Sequence, residues 1–407
     1  MVKDDTYQVV NIGQDTTLKA RIGWQGLTVE EYKDIGEFYL VTGTDFENGF
    51  VNWDSCHFVD KYRYVQDKNI QLKNDDVIVT KDGTIGKIGY VKNLPLPATL
   101  NSGVFLVRAV GDKIYQKYLY YIFTSEIFRE FLNRLTAGST INHLYQKDFI
   151  HFEFQAPKIE EQKAIATALS DTDELISSLE KLISKKQDIK KATMQQLLTG
   201  KKRLDGFCGK WKKKRLGKIA KFRRGSFPQP YGLSKWYDEQ NGMPFIQVYD
   251  VDKNMRLKNS TKQKISKIAE QYSVFIKKDT LILTIQGSIG RIALTQYDAF
   301  IDRTLLIFTN YLIPINKIYF MYQVFELFQI EKQKAQGGTI KTITKEELSS
   351  YKISIPPTKE EQTAIATILS DMDKEIEKLK SKLSKTKAIK EGMMQELLTG
   401  KTRLIHE

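Results

Sequence analysis

The chain has 407 residues, of which 63 are Lys or Arg and 49 are Asp or Glu, for a formal net charge of +14 with 41% hydrophobic and 11% aromatic content. This is the composition of an ordinary globular protein with length for two or three cores; no apolar run approaches a membrane span, and the start, MVKDDTYQVV, lacks the basic-then-apolar pattern of a secretory leader. Cys56 and Cys208 stand far apart without ligand spacing, which argues against a disulfide framework and a zinc site and points to a reducing cytoplasm.

From the N-terminus, residues 1–155 read as one globular module. The segment LKARIGWQGLT (18–28) offers Lys19, Arg21 and Gln25 as polar groups able to meet a polyanion, with Trp24 a better core residue. VTGTDF (41–46) adds Thr42 and Thr44. VIVTKDGTIGKI (77–88) reads as strand, tight turn, strand. Its glycines supply positive φ, Lys87 at its end is a candidate for phosphate contact, and Lys81 and Thr84 are further candidates to meet a polyanion. GSTINHL (138–144) closes the module before an extended stretch.

Residues 156–205 read as a long helix. Pro157 and the carboxylates Glu160 and Glu161 suit a helix start, and Gly200 stands where a left-handed cap belongs. Ile165, Leu169, Ile176, Leu179 and Ile183 recur at alternating steps of four and three, a coiled-coil seam. The seam weakens at Lys186 and Lys190, where Ile189 is expected to supplement it.

Residues 206–355 form a second module, opened by a stretch (201–224) with twelve basic residues against a single Asp205. Its first part, Lys201 to Lys214, reads as solvated linker. Arg223 and Arg224 differ, because the Gly- and Pro-rich loop after them carries Gln229 and Tyr231. Arg and Gln make bidentate bonds to guanine and adenine in the major groove. IQVYDV (246–251) contributes Gln247 and Tyr249, and LILTIQGSIGRI (281–292) contributes Ser288 and Arg291. Residues 356–407 are a second helix, with Ile365, Leu369, Met372, Ile376, Leu379 and Leu383 along its seam, polar positions at Thr386 and Lys390, and Ile389 as the supplement.

Residues 156–204 and 356–404 are identical at 27 of 49 positions, which establishes a duplication. The modules repeat only faintly: Ile12-Gly13 matches Leu216-Gly217, 77–88 matches 281–292, and GSTINHL resembles GGTIKTI (337–343). The expected fold class is therefore α+β: two mixed α/β globular modules separated by two long helices that pair as an antiparallel coiled coil, with a pseudo-twofold internal repeat.

The P-x-x-E-E-Q-x-A-I-A-T openings and L-L-T-G-K-x-R-L endings of the helices, the GTIGK and GSIGR turns, and the start WKKKRLGKIAKFRRG together resemble the specificity (S) subunit of type I restriction–modification systems, over the whole chain. The resemblance implies two target-recognition domains, each reading one half of a bipartite, asymmetric site in double-stranded DNA. It implies helices that act as ruler and as docking surface for two methyltransferase subunits, with two restriction nuclease–translocase subunits joining them. It also implies no catalysis and no cofactor on this chain, S-adenosylmethionine, Mg²⁺ and ATP belonging to the partners of a DNA adenine methyltransferase/endonuclease complex.

The sequence agrees with a non-catalytic role. The only Pro-Pro pair, Pro356-Pro357, lacks the Asn/Asp and aromatic neighbours of an amino-methyltransferase loop, no Walker pair is present, and His57, His143, His151 and His406 have no zinc or triad spacing. A stand-alone nuclease or methyltransferase with a degenerate motif, and a scaffold whose modules bind protein, remain open at this stage.

Overall fold

The computed structural model describes residues 7–23, 26–136, 143–334 and 343–405. The chain divides into two compact units, one built from residues 1–180 and 381–407, the other from residues 181–380. Each long helix, Ile159–Leu197 and Lys359–Leu397, thus gives its first half to one unit and its second half to the other.

Both units share a plan. In the first, a sheet runs in the order Thr16–Ala20, Val104–Ala109, Val77–Thr80, Ile88–Tyr90, extended by the short strands Phe50–Val51 and Phe46–Glu47. In the second, the order is Ala220–Arg224, Leu305–Tyr311, Leu281–Thr284, Ile292–Leu294. A second sheet follows the same rule: His57–Val59, Phe38–Val41 and Ala98–Leu100 in one unit correspond to Gln263–Ile265, Met243–Ile246 and Ala299–Ile301 in the other, where Val274–Ile276 adds an edge. A two-stranded ribbon, Gln8–Asn11 with Glu153–Ala156 or Lys212–Arg215 with Lys352–Ile355, ties the module ends together next to the helix start. The basic stretch expected as linker therefore contains a paired strand.

The central strands Val77–Thr80 and Leu281–Thr284 are buried at every position, as their unbroken β-branched and aliphatic runs require. One face of the main sheet is covered by helix. In the first unit this is a pair, Gln116–Thr124 and Glu126–Thr136, broken at Ser125, whose hydroxyl accepts from the Ile127 amide at 3.2 Å. In the second unit Val324-Phe325-Glu326 continues the turn and one helix, Lys317–Lys334, runs through.

Within each unit the two half-helices run antiparallel, the order of their ion pairs fixing the direction: Glu161, Asp173 and Glu180 meet Arg403, Lys390 and Lys387 in the first unit. Lys186, Lys190 and Arg203 meet Glu375, Asp373 and Glu361 in the second. The seam positions Ile165, Leu169, Leu179, Ile183, Ile365, Leu369 and Ile376 are buried, while Ile176, Met372, Leu379 and Leu383 are half-buried. At the weak end of the seam, ion pairs take the place of apolar contacts: Lys190 lies 2.5 Å from Asp373 and Lys390 lies 2.6 Å from Asp173. The expectation for Ile189 and Ile389 is corrected, since these side chains are 43% and 60% exposed and add nothing to the seam.

Gly200 and Gly400 end their helices with φ of 71° and 73°. The Gly200 and Gly400 amides bond the Leu197 and Leu397 carbonyls at 3.4 Å, the short bond of a Schellman cap, and the Lys202 and Thr402 amides reach back to the Gln196 and Glu396 carbonyls at 3.2 Å, one residue beyond its usual long bond. The chain is thereby turned so that Arg203 and Arg403 reach Glu361 and Glu161, carboxylates only 1% and 3% exposed. The P-x-x-E-E-Q opening of one repeat is clamped by the K-x-R-L ending of the other.

Candidate nucleic-acid interface

The two glycine turns are built on the same hydrogen-bond frame. Thr80 Oγ1 donates to the Thr84 carbonyl and accepts from the Lys87 amide at 2.9 Å; Thr284 Oγ1 does the same with Ser288 and Arg291. The Gly86 and Gly290 amides close the loop on the Thr80 and Thr284 carbonyls, each at 2.9 Å. Gly86 and Gly290 combine positive φ with close approach, since an added Cβ would lie 2.2 Å from Leu132 and 2.7 Å from the Phe328 ring. Gly83 also has positive φ but faces open space, at a tip shared with exposed Asp82 and Thr84. Ser288 is likewise exposed at its tip.

The cations of these turns are anchored rather than free. Lys87 Nζ donates to the Gly43 carbonyl at 3.3 Å and lies 5.8 Å from the Phe46 ring centre, and Arg291 Nη1 donates to the Val251 carbonyl at 2.9 Å. Both keep further N–H donors for an anion. Lys81 lies half-buried, its Nζ 5.3 Å from the Phe105 ring centre.

Beside each turn lies a loop pinned by a buried carboxylate. Asp45 accepts from the Thr42 amide and hydroxyl at 2.7 and 2.9 Å, and Asp250 accepts from the Gln247 amide at 2.8 Å and the Lys262 amide at 3.0 Å. Burial pushes both carboxyls above the ordinary aspartate range, with these amide bonds pulling the other way. Thr44 is exposed and shares a hydroxyl contact of 2.7 Å with Thr42. Tyr249 is exposed and donates to Oε1 of the half-buried Gln247, whose side-chain nitrogen keeps its own donors. Burial, with the nearby Asp250 charge, raises the Tyr249 phenol to about 12, so it stays a donor.

On the edge strands Lys19, Arg223 and Arg224 are exposed, positions that also discourage edge pairing with another chain. Gln229 is exposed on the loop that follows. Arg21 requires a correction: it is 1% exposed, and its guanidinium donates to the Leu100 carbonyl at 2.8 Å and to Thr99 Oγ1 at 3.1 Å. It braces the second sheet and is not available to a ligand. Tyr231 is half-buried with its hydroxyl on Asp302. Gln25, Trp24 and most of the GSTINHL and GGTIKTI segments lie outside the described residues.

These elements converge in each unit. The Lys81 amide donates to the Gly103 carbonyl at 2.9 Å and the Ile285 amide to the Thr304 carbonyl at 3.0 Å, while Leu144 and Ile343 donate to the Lys81 and Ile285 carbonyls at 2.7 and 3.2 Å. Glycine turn, carboxylate-pinned loop and the connection 101–103 or 302–304 therefore share one end of the sheets. Arg303 of that connection is exposed and went unnoticed in the sequence, because its partner by repeat is Ser102 and shared spacing could not single it out.

A family model described as the type I restriction modification DNA specificity domain matches twice, over residues 27–191 and 209–385. The chain belongs to this family. Among curated proteins it is similar to the MjaX type I restriction enzyme specificity subunit assigned in Methanocaldococcus jannaschii, at 26% identity covering 93% of this chain and 90% of that one. It is also similar to the EcoBI specificity subunit of Escherichia coli, at 24% identity over 55% and 50% of the two chains. Its fold is like that of the S subunit of M. genitalium, with a TM-score of 0.63 at 17% identity and 98% and 97% coverage. The S subunit from Thermoanaerobacter tengcongensis has a TM-score of 0.50 at 18% identity over 98% and 97% of the two chains. As a type I specificity subunit, the chain is the recognition component of its system. Among the described residues no helix is long and apolar enough to cross a membrane, and no cluster of His, Cys, Asp and Glu has the makings of a metal site.

Proposed function

We propose that each module reads one half of a bipartite, asymmetric DNA site through the sheet end where turn, pinned loop and strand connection meet. The observation that carries this is the pairing of an identical hydrogen-bond frame with different exposed side chains. Glycine turns with an anchored cation suit phosphate contact, which positions, and the variable groups around them suit base edges, which specify. Lys87 and Arg291 would hold phosphates; Thr84, Ser288, Thr44, Gln247, Gln229, Arg223 and Arg224 would face the duplex.

The duplicated helices would serve as ruler and would dock two methyltransferase subunits, since a surface repeated with this fidelity suits the same partner twice. Methylation chemistry with S-adenosylmethionine, and cleavage with Mg²⁺ and ATP on two nuclease–translocase subunits, would belong to those partners, in the cytoplasm. Methylation-aware sequencing of DNA from cells expressing the intact complex tests the reading. A two-part motif with unlike halves and a fixed gap is expected. A continuous or absent motif would count against it.

A further inference from the structure

We infer that Arg303 is the guanine-reading residue of the second module, held in its reading pose by Tyr231 and Asp302. This rests on the DNA-reading function proposed above and adds to it a specific side chain and a specific base.

The argument starts from Asp302, a carboxylate only 1% exposed. It accepts from the Thr304 amide at 2.9 Å, from the Thr304 hydroxyl and from the Tyr231 hydroxyl. A buried charge is tolerated when donors surround it, and three donors here leave it little capacity for a further cation. The Tyr231 phenol is shifted upward by burial and by this carboxylate, so it remains a donor and its ring is fixed. Over that ring lies the Arg303 guanidinium, 5.3 Å from its centre, and the side chain is exposed. Among the described residues no carboxylate pairs with Arg303.

The guanidinium is held against the Tyr231 side chain by the ring and by a hydrogen bond to the phenol oxygen, and the rest of its five N–H donors stay available to a ligand. A phosphate takes either a lysine's point charge or an arginine fork, whereas two base acceptors lying in one plane take only the fork; Arg291 already offers this unit a phosphate contact, which leaves the Arg303 fork for a base edge. In the major groove that pair is guanine O6 and N7. The Ile285 amide bond to Thr304 places Arg303 beside the glycine turn, where a phosphate contact from Arg291 would bring base edges near.

The first module provides the contrast. At the matching connection Asn101 donates to the Tyr32 hydroxyl, so the tyrosine-on-polar-residue frame recurs, but the next residue is Ser102, whose hydroxyl donates to Asn101 at 2.9 Å. The same frame presents a fork in one unit and a short, already bonded hydroxyl in the other. Half-sites that differ at this position are the expected consequence.

The test uses the intact chain in its modification complex, selected against a randomised duplex library and titrated on chosen duplexes over a range of salt. Arg303→Lys keeps the charge and removes the fork. It should lose about tenfold or more of its preference at one guanine of the second half-site, leave the first half-site unchanged, and keep the salt slope. Arg303→Ala should relax the same base. Tyr231→Phe keeps the ring and frees it from Asp302, and should relax that same base more weakly, with thermal unfolding checking that the fold holds. If Arg303→Ala instead weakens all sequences alike and lowers the salt slope by about 0.9, Arg303 is a phosphate contact and the inference fails. An unchanged motif in both variants also overturns it. If the wild-type complex selects no bipartite motif, the DNA-reading proposal itself falls, a result distinct from either.

Discussion

Glu161 and Glu361 are among the least exposed carboxylates of the chain, and each is held by an arginine more than 150 residues away in sequence. Removing one partner of a buried pair leaves the other charge stranded, a larger loss than the pair's net contribution. Arg203→Ala should therefore cost about 3 kcal/mol of stability or more by denaturant titration, and adding Glu361→Gln should restore part of it. A loss under about 0.5 kcal/mol would show that water reaches Glu361. Asp250 carries a pH signature of opposite origin. Burial raises its carboxyl above the unfolded value near 3.9, so the folded state holds its proton longer. Stability attributable to Asp250 is then given up as pH rises from that value through the raised one. Comparing wild type with Asp250→Asn across this window by thermal melts should show a less negative slope in the variant. Equal slopes would mean that the Gln247 and Lys262 amides offset burial completely.

At the scale of elements, the helices were the most legible part of the chain because duplication, caps and seam all point to one structure. The ion pairs at the weak end of the seam were harder to see. Lys190 and Lys390 read as interruptions until their partners Asp373 and Asp173 are found, and those partners also take the Tyr322 and Tyr121 hydroxyls at 2.6 and 2.9 Å. Arg21 was misread for a related reason: a long cationic side chain next to an exposed strand looks available, and only the second sheet shows that its donors are spent. Burial of a charge depends on partners distant in sequence, which spacing does not encode. The same pairs bear on the ruler. Because Lys186 and Lys190 are pinned, an insertion belongs at the junction of the units: seven residues after Glu180 and seven after Lys380. Two added heptads keep the seam in phase. The lengthened complex should methylate sites with a longer unread gap and the same two half-sites, read by methylation-aware sequencing. Altered half-sites would mean that the helices do more than space.

For the whole molecule, the repeat makes the helices a pair of equivalent sockets. Gln162 accepts from the Tyr115 amide and Gln362 from the Asn316 amide, each at 2.8 Å, and Asp173 and Asp373 each take a module tyrosine. The apolar part recurs as well, with Ile165, Ala166 and Leu169 joining Leu397 and Leu398 in one core and Ile365, Ala366 and Leu369 joining Leu197 and Leu198 in the other. A module that fits one socket should thus fit the other. Replacing residues 206–355 with a second copy of residues 1–155, trimmed at the ribbon strands, should give a folded chain whose two half-sites are identical. The Tyr121 hydroxyl and Tyr115 amide of the copied module would find Asp373 and Gln362 in place of Asp173 and Gln162, so melting temperature should fall by only a few degrees. The methylated motif should change from asymmetric to palindromic, keeping the original first half-site on both sides. An asymmetric motif from two identical modules would mean that the helices or the partners contribute to base reading, and that each module does not read alone.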